Sequence, residues 1–117
     1  MRVAIVGSRH FPDLDRVTQY VDSLPAGSSL VTGSASGVDS AATQAARKRD
    51  LPVQVVAASF DETNDPARAA ARNQRLIDLA DQIVAFWDGA SGGTRRTVER
   101  ALDAGKEVHV FTSPPPR

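Results

Sequence analysis

IVAFWDGASGGTRRTVERALDAG, residues 83–105, passes from an apolar run through a glycine-rich break into a helical pattern. Ile83 to Trp87 are β-branched or aromatic with no polar alternation, the mark of a strand buried on both faces. Asp88-Gly89-Ala90-Ser91-Gly92-Gly93 breaks regular structure, and Val98, Ala101, Leu102 and Gly105 then recur on one helical face. A strand, a loop and a helix start follow one another. Such a helix start presents unpaired N–H groups and the positive end of the helix dipole, and glycines let an anion approach the main chain. Thr94 adds a hydroxyl, and Arg95 and Arg96 add two cations within reach. Phosphate suits this arrangement.

Working outward, the same unit recurs along the chain. Val3-Ala4-Ile5-Val6 is a short strand ending in Gly7-Ser8-Arg9, and Asp13 onward carries Val17, Tyr20, Val21 and Leu24 at helical spacing until Pro25-Ala26-Gly27. Ser29 to Thr32 form a second strand, followed by Gly33-Ser34-Ala35-Ser36-Gly37 and a helix with a small-residue face at Val38, Ala41, Ala42, Ala45 and Ala46. Ser36 and Asp39 fit an S-x-x-D capping arrangement, while Ser34, Ser36 and nearby N–H groups also suit a phosphate or a ribose hydroxyl. Val53 to Ala58 read as a third buried strand. Residues 59–66 are polar and irregular, and Ala67 to Ala80 read as a helix whose apolar stripe includes Asn73. A buried amide needs partners, so Asn73 either pins a loop or reaches a ligand, and Arg72 beside it points to solvent or to the loop after Trp87. Glu107 to Phe111 close the sheet as a fifth strand, with His109 expected to be half-buried in it.

Five strands alternating with four helices predict an α/β, doubly wound Rossmann-like parallel sheet of order 3-2-1-4-5, with helices on both faces and right-handed crossovers. The switch point then lies between the first and fourth strands, where Gly7-Ser8-Arg9 face Asp88 to Thr94, with Gly33 to Gly37 alongside.

Composition narrows the function. A chain of 117 residues suits one domain, expected over 1–112 with a frayed Pro-rich tail at 113–117. It has no cysteine, which excludes disulfides and thiolate chemistry, and its two histidines, His10 and His109, have no metal-ligand spacing, so no metal is expected. Fourteen basic and fourteen acidic residues cancel, which weighs against bulk nucleic-acid binding. With no apolar run near the roughly 18 residues a membrane helix needs, the expectation is a cytosolic protein without a membrane partner.

VAIVGSRHF, LVTGSASGVDSAATQAA, RNQRLIDLADQIVAFWDGASGGT and the closing A-x-x-A-G-K-x-V-H-V together resemble the YspA-like branch of the SLOG superfamily, over Arg2 to Phe111 and in order. That superfamily also holds the Lonely Guy phosphoribohydrolases and the Rossmann domain of DNA-processing protein A. The resemblance implies a nucleotide or nucleotide-derived ligand, of the adenine nucleotide, NAD or ADP-ribose class, bound by a sensor or binding module. Position by position it implies ligand contacts at Gly7, Ser8 and Arg9; at Gly33, Ser34, Ser36, Gly37 and Asp39; at Arg72 and Asn73; and at Asp88, Gly89, Ser91, Gly92, Gly93 and Thr94. It also permits a homodimer.

The resemblance supplies no reaction. Lonely Guy enzymes carry P-G-G-x-G-T-x-x-E, with a glutamate three residues after the threonine that assists cleavage of an N-glycosidic bond. Here Thr97 holds that position and Glu99 lies two residues further, which swings its carboxylate by about 200° around the helix. Asp88 and Glu99 are therefore weak catalytic candidates, and an N-glycosidic hydrolase is the second reading. Single-stranded DNA binding, as in DNA-processing protein A, ranks third, because the chain has few aromatic platforms and no net positive charge.

Overall fold

The computed structural model describes residues 1–8, 11–33, 37–56, 66–90 and 92–112, and of 66–70 the backbone only. Strands β1 (Arg2–Gly7), β2 (Ser29–Gly33), β3 (Val53–Val56), β4 (Gln82–Trp87) and β5 (Glu107–Thr112) alternate with helices α1 (Leu14–Asp22), α2 (Val38–Lys48), α3 (Pro66–Leu79) and α4 (Gly92–Asp103). The strands form one parallel sheet of order β3-β2-β1-β4-β5, as the alternation of elements predicts. Each parallel crossover needs a helix to return the chain, and the two helical pairs cover opposite faces.

Successive strand residues point to opposite faces, so the apolar run of β1 feeds two cores. Val3 and Ile5 join Val17 and Val21 of α1, and Val38, Ala42 and Ala46 of α2. Ala4 and Val6 join Leu76 and Ile77 of α3 and Ala101 of α4. Val84 and Phe86 of β4 belong to the first core and Ile83 and Ala85 to the second, which explains a strand with no polar alternation.

Four local expectations are corrected. β3 is an edge strand in which only Val56 is buried, so VQVV is apolar without being two-sidedly covered; residues 57 and 58 lie outside the described residues. His109 is exposed on the other edge strand, its Nε2 3.4 Å from Glu107 Oε2. α2 has Gly37 as its N-cap, at φ 81°, which puts Asp39 at the second helical position and removes the S-x-x-D capping register. α4 starts at Gly92, so Gly92 and Gly93 belong to its first turn rather than to the loop.

The tip of β5 is tied to α1. Arg16 Nη1 donates to the Thr112 carbonyl at 2.8 Å, and the guanidinium carbon lies 5.6 Å from the centre of the Phe111 ring. Tyr20 of α1 packs at 5.6 Å from Phe111. Burial, and secondarily the Glu107 carboxylate, raise the Tyr20 phenol above the usual value near 10. A folded-state value above the unfolded one gives stability that is intact below about pH 10 and is lost as pH rises through the folded value. Tyr20 is the sole tyrosine. Tyrosinate absorbance should therefore rise at higher pH in the folded protein than in the urea-unfolded chain, and Glu107→Gln should close part of the gap; coincident titrations would refute the assignment.

Candidate functional site

At the switch point, Gly7 of β1 is the register partner of Phe86 of β4. One residue on, the Ser8 N–H donates to the Phe86 carbonyl at 2.9 Å, and the Asp88 N–H donates to Ser8 Oγ at 3.1 Å. The same hydroxyl lies 3.4 Å from Thr94 Oγ1, in the first turn of α4. Ser8 is 1% exposed and Thr94 6%. A single buried serine thus joins the end of β1, the loop after β4 and the start of α4. Asp88 Oδ1 accepts the Ala90 N–H at 2.9 Å, and Gly89 follows at φ 85°, a conformation that side chains rarely adopt. This turn aims the chain into α4.

The first turn of α4 has no acidic residue to offset its positive dipole end. A Cβ built on Gly92 would lie 3.3 Å from Arg96 Nη2, so this cation folds back over the helix start. Arg95 instead pairs with Glu99 at 2.9 Å on the exposed face. Thr97 is buried, and its hydroxyl donates to the Gly93 carbonyl at 3.0 Å.

α2 starts differently. Its second residue, Asp39, is 7% exposed, and a Cβ built on Gly33 would stand 2.7 Å from Asp39 Oδ2 and 3.5 Å from Arg72 Nη1. A carboxylate and a guanidinium from separate helices therefore lie against the main chain at the end of β2. Arg72 Nη2 donates to Asn73 Oδ1 at 3.3 Å. Among the described residues, the buried Nε of Arg72 has no hydrogen-bond partner. An unmet N–H on a cation is costly, and an anion or water that reached it would relieve that cost.

Residues 1–62 match the YAcAr family, described as the YspA, cpYpsA-related SLOG family. The chain belongs to this family. No curated protein matches its sequence. Two solved structures share the fold of this SLOG family member. DNA processing protein A from Streptococcus pneumoniae superposes with a TM-score of 0.73 at 22% identity, over 98% of this chain and 50% of that one. DNA processing protein A from Helicobacter pylori, whose structure describes a single-stranded DNA binding mode, gives 0.74 and 22%, over 100% of this chain and 66% of that one. The family member thus spans half of the first relative and 66% of the second.

In this SLOG family member the candidates from β1, β2, α2, α3, β4 and α4 gather along the carboxyl edge of the sheet, while Arg9, Ser34, Ser36 and Ser91 lie outside the described residues. Sequence reasoning missed why Gly7 is glycine: a Cβ there would sit 2.7 Å from three side-chain atoms of Val38. A hollow of about 180 Å³ bounded by Arg2, Ser29, Pro52 and Gln54 opens at the opposite, amino edge of β1–β3, away from all the candidate residues. Among the described residues, no helix is long and apolar enough to cross a membrane.

Proposed function

We propose that this chain binds a nucleotide or nucleotide-derived ligand, of the adenine nucleotide, NAD or ADP-ribose class, in the crevice above β1, β2 and β4, as a sensor or binding module. The observation that carries this reading is the Ser8 junction, which holds the Asp88 turn and the start of α4, whose first turn has no acidic residue, against the end of β1. The phosphate would lie on the N–H groups of Gly92, Gly93 and Thr94, with Arg96 and Arg9 as counter-ions. Asp39 already fills the start of α2, so that side suits hydroxyls, as a ribose would offer, beside Gly33 and Gly37. Gly7, Asn73, Asp88 and Gly89 would shape the remaining wall.

Trp87, the sole tryptophan, ends β4 next to Asp88 and reports on this region by its fluorescence. A ligand at a hundred times its Kd should stabilise the fold by about 2.7 kcal/mol and change the tryptophan signal. Arg72→Ala should weaken binding roughly 10- to 100-fold, the cost of losing a hydrogen bond to a charged partner. If none of ATP, ADP, AMP, NAD or ADP-ribose at millimolar concentration shifts either signal, the reading fails.

The fold shared with DNA processing protein A favours a second reading, single-stranded DNA in the same crevice. Fluorescence polarisation with a labelled oligothymidine at low salt separates the two: saturable polarisation without a mononucleotide shift selects DNA. Bond cleavage is tested by chromatography of each mixture, where a free base would put the hydrolase first and Asp88→Asn would then be expected to abolish it. The buried Thr97 and the Arg95-paired Glu99 leave α4 with no carboxylate on the face that a Lonely Guy glutamate would use.

A further inference from the structure

The two edges of the sheet are finished differently. β3 offers four residues and is preceded by Pro52, which has no N–H to donate. β5 offers six, paired one for one with β4 without a bulge. Its outer side presents a row of backbone donors and acceptors, the usual template for another strand. Arg16 takes the Thr112 carbonyl, which leaves Glu107 to Phe111 as the open segment among the described residues.

The side chains of this segment sort by face. Val108 packs on the core that contains Ala101 of α4. Val110, two residues on and therefore on the same face, is 43% exposed, and Leu102 of α4 is 59% exposed. Glu107, His109 and Phe111 share the opposite face, where Phe111 stacks on Phe86 at 5.1 Å under the Arg16 guanidinium.

We propose that β5 pairs antiparallel with β5 of a second copy of this chain, across a two-fold axis through His109 and normal to the sheet. Glu107 then stands opposite Phe111 of the second copy, and Val108 opposite its Val110. Both faces are matched by this register. The two valine pairs cover the exposed Val110 side chains, and each Glu107 carboxylate comes to the ring that carries the other copy's Arg16, giving two reciprocal pairs of unlike charge. Sliding the strands to centre on Val108 sets Val110 against Lys106 and removes Glu107 from Arg16. A one-residue slip turns the faces of one copy over. The two sheets join as one of ten strands.

Sedimentation of the full chain tests this. The wild type is expected to form a dimer as its concentration rises from about 5 to about 200 µM, with the amide hydrogens of residues 107–111 gaining exchange protection over the same range. Val110→Lys should be monomeric with an unchanged melting temperature, since the residue is exposed within one copy. Glu107→Arg should weaken the dimer by about tenfold, and the swap Glu107→Arg with Arg16→Glu should restore it. A wild type that stays monomeric at about 200 µM overturns the proposal. A dimer that survives Val110→Lys places the interface elsewhere and overturns it too, and a Glu107→Arg dimer of wild-type strength rejects the register.

Discussion

Phe86→Ala is expected to cost about 3–5 kcal/mol of folding stability, a large share of the 5–15 kcal/mol typical of a domain. Phe86 is 1% exposed in the middle of the sheet. It meets Phe11 edge-on at 5.7 Å, Tyr20 at 6.0 Å and Phe111 in a stack at 5.1 Å. Truncation removes three aromatic contacts along with the buried area, and the surrounding side chains come from β1's loop, α1 and β5, which are anchored elsewhere and cannot close the void together. At about 4 °C per kcal/mol for a chain of this size, the melting temperature should fall by roughly 12–20 °C. The Ser8 bond to Phe86 uses the carbonyl, so ligand affinity at low temperature should change much less than stability. Urea unfolding with a loss under about 1 kcal/mol would show that the aromatic cluster does not hold the first core together.

Gly7→Val should also destabilise, against the trend of strand propensity. A β-branched residue in a strand ordinarily gains up to about 1 kcal/mol over glycine. Here the new Cβ would stand 2.7 Å from Cβ, Cγ1 and Cγ2 of Val38, which is fully buried as the first residue of α2. Overpacking of that kind costs about 1–3 kcal/mol or more, so the clash wins and the expected net loss is about 2 kcal/mol. Val38→Ala removes the two γ-methyls but keeps Cβ, and should relieve the loss only in part. The double variant should fall short of additivity by roughly 0.5–1 kcal/mol. A stable Gly7→Val protein would mean that α2 can withdraw from β1, and with it that the spacing of the first two loops is soft.

The architecture was legible because its signals are strong and local: VAIV and IVAFW announce two-sided burial, and each is followed by glycine and a helical period. The order 3-2-1-4-5 also put β3 and β5 at the edges; what the runs could not carry was how little of each edge strand is covered. VQVV reads as a buried strand and His109 as half-buried in the closing strand, but Gln54, Val55, His109 and Val110 are exposed. Nothing in a run of four or six residues records how far the neighbouring helices reach over it. The site was legible by kind and less by contact. Gly7 reads as a ligand glycine in sequence and has a packing reason in three dimensions, because Val38 approaches it from 31 residues away. Asp39 fits a capping register on paper, yet Gly37 caps α2 and Asp39 settles against Gly33 instead. Close approach of backbone to side chain is a tertiary event, and only its glycine is written in the chain.

The Ser8 hydroxyl meets Thr94 across 86 positions of sequence. β1 therefore spends synthesis waiting for its second neighbour. At about 5–20 residues per second, several seconds separate the emergence of the turn after β1 from that of the turn after β4. A nascent chain that stops before Gln82 can pair β1 with β2 but has no wall opposite Ser8. A ligand in that crevice would then stabilise only copies in which β4 and α4 are already in place.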